Sequence, residues 1–137
     1  MRGTLARGRW LLAGVLLLAP VPPLAAQEPQ GAREDCAVTI PEWAPRGSAE
    51  TVRPRIVATI TSTCETAIDV ASVRMTVDEE PVAPAIDGNG EKVTVVYVPE
   101  SALLEEADHT VTVDAMDVNG IAGQRTWTFY LPDTYLR

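Results

Sequence analysis

The chain holds one histidine, His109, so any Ser-His-Asp site would have to be built on that residue. His109 alternates with Val111 at the start of a strand-like run, where packing and a local hydrogen bond are the ordinary use of an imidazole. Two cysteines and a single distant histidine cannot readily fill a tetrahedral zinc shell. There is no glycine-rich phosphate loop and no internal repeat. After the first 26 residues, no apolar pattern has the helical period over any length, which excludes a helical bundle. Basic residues are also few, 11 against 19 acidic.

All 19 acidic residues follow residue 26, whereas Arg2, Arg7 and Arg9 precede it; the eight remaining basic residues leave the rest of the chain at −11. Such a surface repels phosphate backbones and anionic head groups, so neither nucleic acid nor direct membrane-surface binding is expected. The three arginines precede an apolar run from Trp10 to Ala19, closed by Pro20, Pro22 and Pro23. This is the pattern of a signal peptide, with small residues Ala25 and Ala26 marking cleavage before Gln27. The run is about half the roughly 20 residues a spanning helix needs, so an uncleaved anchor is the weaker alternative. The nearest cysteine is too far from the cleavage site for lipid anchoring. An extracytoplasmic protein, periplasmic or secreted, is expected.

Residues 27–35 are polar and without period, and read as a flexible lead-in; residues 36–132 read as one domain, and 133–137 as a short tail. In an exported chain the pair Cys36 and Cys64 reads as a disulfide, with both residues in the inward phase of their strands.

Alternation of apolar and polar side chains marks the strands. Cys36, Val38 and Ile40 share a face, ended by Pro41; Ile56, Ala58 and Ile60 form the next run. Val73, Met75 and Val77 lead to a turn at Asp78-Glu79-Glu80-Pro81, and Asp87-Gly88-Asn89-Gly90 is a second turn. Val93, Val95 and Tyr97 share a face, while Val96 and Val98 make the opposite face apolar too, as in a strand covered on both sides. Leu103-Leu104 within "SALLEEAD" is expected to form one helical turn plugging an end of the core. "HTVTVDAMDVNGIAGQRTWTF" supplies two strands around Asn119-Gly120, with Trp127 and Phe129 inward. Six or seven short antiparallel strands with regular turn signals describe a β-sandwich.

"RPRIVATITST", "IDVASVRMTVDEEPV", "VTVVYVPESALLEEADHTVTVDAMDVNG" and "TWTF" together resemble bacterial immunoglobulin-like domains. There a VDG-type hairpin, a Y-x-P segment, an H-T-V strand and a terminal W-x-F strand recur in that order. The resemblance covers Arg53 to Leu131. Here Glu79-Glu80 and Ala107-Asp108 stand where such domains usually carry glycine. The resemblance implies an antiparallel immunoglobulin-like sandwich of about seven strands. It also implies a spacer, adhesive module or accessory domain rather than a catalyst.

So acidic a chain always offers carboxylates for glycosidase-type chemistry, so a small secreted hydrolase is the alternative from another class, although no pair of acids is singled out. Asp87-Gly88-Asn89-Gly90-Glu91 and Asp117-Val118-Asn119-Gly120 offer oxygen ligands, which would make a calcium-dependent adhesion module. Neither matches an EF-hand loop, and both fit tight turns, in which Asp117 contributes a turn hydrogen bond. No catalytic residue, metal ligand or cofactor is therefore expected. The aromatic residues outside the core pattern, Trp43, Tyr130 and Tyr135, are the candidate contacts for a protein partner, for which a membrane complex on its extracytoplasmic face is one candidate.

Overall fold

The computed structural model describes residues 36–134. The signal peptide, the lead-in, Tyr135 and the end of the tail lie outside the described residues. Nine strands build two sheets, and the described residues contain no α-helix. In chain order they are β1 (Val38–Ala44), β2 (Gly47–Ser48), β3 (Ile56–Ser62), β4 (Ile68–Val77), β5 (Glu80–Val82), β6 (Ala85–Asp87), β7 (Lys92–Tyr97), β8 (Ala107–Asp117) and β9 (Ala122–Leu131). One sheet has the order β1-β3-β7-β6 and the other β2-β9-β8-β4-β5. All neighbours pair antiparallel except β2 with β9. The molecule is an all-β sandwich of the immunoglobulin-like class.

The core follows from the period of two. Ile56, Ala58 and Ile60 of β3 and Val93 and Val95 of β7 face Met75 and Val77 of β4, Val111 and Val113 of β8, and Trp127, Phe129 and Leu131 of β9. All are buried, and Ile56, Ile60, Val95, Val111, Val113 and Leu131 have no accessible surface. The β8–β9 ladder runs unbroken from Ala107↔Leu131 to Met116↔Ala122, so register alone carries the inward residues of one strand onto those of the other.

The first strand does not stop at Pro41. It continues to Ala44 with a register shift between Thr39 and Glu42, and Pro41 sits in that irregularity on a sheet edge, where no ladder donor is lost. Past a cis Ala44-Pro45 bond the chain changes sheet, and Gly47–Ser48 pair with Phe129–Tyr130. β1 thus belongs to one sheet and β2 to the other, and together they close one side of the sandwich. At the opposite side β5 and β6 do the same with three residues each. These very short edge strands were not legible as strands, since two or three residues carry no period.

Leu103-Leu104 forms no helical turn. Leu103 packs half-buried against the core while Leu104 is 74% exposed. The outer face of β7 is only half-shielded at Val96 and open at Val98, so that strand is not covered on both sides.

Cys36 and Cys64 are disulfide-bonded with Cα atoms 5.2 Å apart. The bridge lies at the end of the β1–β3 ladder rather than in the core: Cys36 is half-buried and Cys64 exposed, because the chain turns after Ser62. Beside it the Ala37 N–H donates to Thr63 Oγ1 and the Thr63 N–H to the Ala37 carbonyl. Closing a loop of 28 residues stabilises a fold by roughly 3 to 4 kcal/mol in the chain-entropy account.

Candidate functional site

One end of the sandwich collects most of the groups that the core does not explain. The β4–β5 hairpin has a two-residue loop, Asp78-Glu79, with φ of 51° and 71°. Both residues are left-handed, as a type I′ turn requires. The Asp78 N–H donates to the Thr110 carbonyl, and Asp78 Oδ1 accepts the Thr110 N–H at 2.9 Å, so the turn is stitched to β8. Asp78 Oδ2 meets His109 Nδ1 at 2.6 Å, and His109 Nε2 donates to the Leu104 carbonyl at 2.8 Å.

The histidine is 4% exposed and packs on Phe129 with ring centroids 5.5 Å apart. Burial by itself pushes its pKa down. The hydrogen bond to Asp78, that to Leu104 and the charges of Asp78 and Asp108 outweigh burial and hold the pKa above 6.5.

Leu104 belongs to the connection between β7 and β8, residues 98–106. Arg53 Nε donates to the Pro99 carbonyl at 2.8 Å and the Leu103 N–H to the Val52 carbonyl. Glu105 accepts from the Thr134 backbone and hydroxyl, and the Glu106 N–H bonds the Leu131 carbonyl. Between this connection and the hairpin lies a shallow groove of about 400 Å³. Its apolar wall is Val77, Val82, Tyr97, Pro99 and Leu103, and its rim carries Asp78, Glu80 and Glu100. An apolar centre with a charged rim is the anatomy of a protein contact surface.

The aromatic candidates separate in the structure. Trp43 is half-buried beside Trp127, ring centroids 6.4 Å apart, with the guanidinium groups of Arg46 and Arg125 at 4.1 and 4.0 Å from its ring. Arg125 Nε also donates to the Ile40 carbonyl. Trp43 therefore closes the β1–β9 side of the core. Tyr130 is 42% exposed on the outer face of β9, opposite Asp108. Tyr135 lies outside the described residues.

The loop at Asn119-Gly120 is a turn with Gly120 at φ 84°. Asp117 accepts more than one turn hydrogen bond. It is buried, its Oδ1 accepts the N–H groups of Asn119 and Ile121 at 2.9 Å each, and its Oδ2 has no partner among the described residues. Among the described residues no group of three or more His, Cys, Asp or Glu is arranged to hold a metal ion. No helix among them is long and apolar enough to cross a membrane.

No family model matches the chain, and no curated protein does. Solved structures similar to it include the archaellum periplasmic stator protein FlaG from Sulfolobus acidocaldarius. The TM-score is 0.45 and the identity 16%, over 67% of this chain and 99% of that one. A second is the periplasmic stator complex of FlaF and FlaG from the same organism, at 0.44 and 17%, over 66% and 87%.

The groove was missed in the sequence. "VDEEP" and "YVPESALLEEAD" each register as a break in period, and nothing local shows that the two breaks meet in space. The available signal was charge: the short acidic clusters at 78–80 and 105–106 interrupt otherwise mixed stretches.

Proposed function

We propose that the protein is an exported, non-catalytic immunoglobulin-like module that binds or supports another protein, as an extrinsic accessory subunit of an envelope or membrane complex. The observation that carries this reading is the groove at the hairpin end, where an apolar wall of Val82, Tyr97 and Leu103 opens to solvent between carboxylates. A partner segment with apolar anchors and flanking basic residues fits it by charge and by shape. The leader sequence supports export, and the lone histidine serves the fold at Asp78 and Leu104 rather than a nucleophile.

The test is native purification from the source, followed by cross-linking with and without Glu80→Lys and Glu100→Lys. Both residues are exposed, so charge reversal leaves the fold intact. Co-migration with an envelope protein, lost on reversal, is the expected result. A protein that migrates alone in every fraction contradicts a partner, and capture indifferent to both reversals contradicts this surface.

A further inference from the structure

A neutral imidazole has one N–H and one bare nitrogen. At His109 both ring nitrogens face acceptors, Nδ1 the Asp78 carboxylate at 2.6 Å and Nε2 the Leu104 carbonyl at 2.8 Å. A carbonyl oxygen can only accept, so Nε2 must carry a proton for that contact. Nδ1 then confronts a carboxylate lone pair unless it is protonated as well. Burial against the Phe129 ring works against a charge, but an acceptor at each ring nitrogen favours the imidazolium.

We propose that His109 is a proton-operated latch that ties the connection between β7 and β8 to the β4–β5 turn and releases it when the ring loses its second proton. On deprotonation the proton leaves Nε2, because the short, charge-assisted bond from Nδ1–H to Asp78 is the stronger of the two. The Leu104 carbonyl then has lost its donor. Little else holds that residue, since its side chain is 74% exposed. Two shallow grooves flank the connection. One is the groove described above, and the other, of about 430 Å³, is lined by Val52, Ala102, Leu103, Leu104, Glu105 and Thr134. Freeing Leu104 loosens the wall between them. The latch is a property of the fold and does not depend on which partner the end of the sandwich meets.

The charged groups acting on the ring are Asp78 from the hairpin turn and Asp108 from β8. The connection presents a backbone carbonyl and β9 an uncharged ring. The folded pKa lies above 6.5, so the tie is complete below about pH 6.5 and is lost as pH rises through the folded value.

Because the chain has one histidine, its ring signals need no assignment. Proton–nitrogen correlation spectra recorded from pH 5 to 9 should show both ring nitrogens protonated at low pH, with a midpoint above 6.5. The hydrogen-exchange protection of the Leu103 and Glu106 amides, corrected for intrinsic rates and compared with Val113 in the core, should fall with that same midpoint. In Asp78→Asn the midpoint should drop and the loss of protection should move with it. His109→Gln should make protection independent of pH; if that variant does not fold, the parent and Asp78→Asn decide. A midpoint at or below 6.5, or protection at 103 and 106 that ignores the titration, overturns the latch.

Discussion

Trp127 and Gly123 show how closely β9 is fitted. Trp127 is 7% exposed and stacks obliquely on Trp43, so Trp127→Ala should cost about 3 to 5 kcal/mol, read by chemical denaturation. Its indole N–H is buried without a partner among the described residues. Trp127→Phe loses volume but no hydrogen bond, and its cost should be less than half that of alanine. Equal costs for the two would show that the indole N–H has a partner after all. At Gly123 a Cβ would stand 2.1 Å from the Val38 carbonyl oxygen, so β1 crosses where only hydrogen fits. Gly123→Ala should therefore cost about 2 kcal/mol or more by pushing β1 aside, in contrast to the small effect of alanine at an open strand position. The sequence gives a faint sign of this, since a lone glycine in a strand pattern marks close backbone approach.

Among the elements, the two hairpins of the five-stranded sheet solve the same problem with different residues. The β8–β9 loop uses glycine at its left-handed position, whereas the β4–β5 loop holds Asp78 and Glu79 there. Asp78 is committed by its bonds to Thr110 and His109, but Glu79 has no such reason. Glu79→Gly should raise stability by about 0.5 to 1 kcal/mol, measured as a shift in the denaturation midpoint at unchanged slope. Asp117→Ala should do the reverse and cost about 1 to 2 kcal/mol, because it removes the buried carboxylate that two part-buried amides of an otherwise exposed turn donate to. The long strands β3, β8 and β9 were legible from alternation, as was the turn at Asn119-Gly120. The short edges β2, β5 and β6 were not, because pairing across space defines them. The buried role of Asp117 was half legible. Its parity with Val111, Val113 and Ala115 places it inward, but turn chemistry alone points to an exposed residue. The exposed Cys64 shows the converse error, since parity was carried past the end of a strand into a turn.

For the molecule as a whole, sequence charge and structural groove make opposite claims on salt, and that opposition is testable. The chain after residue 26 carries −11, so its carboxylates repel one another on a surface with few cations to offset them. Raising monovalent salt from about 0.01 M to about 1 M shortens the screening length from about 30 Å to about 3 Å. Thermal stability at pH 7 should then rise by several degrees. Association with a basic partner at the Asp78, Glu80 and Glu100 rim should weaken over the same range, chiefly through a slower on-rate. Glu80→Lys with Glu100→Lys should reduce both slopes, because it lowers the self-repulsion and removes the attraction. Stability that falls with salt would mean that attractive pairs outweigh the excess of carboxylates. Association that strengthens with salt would mean that the apolar wall, and not the acidic rim, chooses the partner.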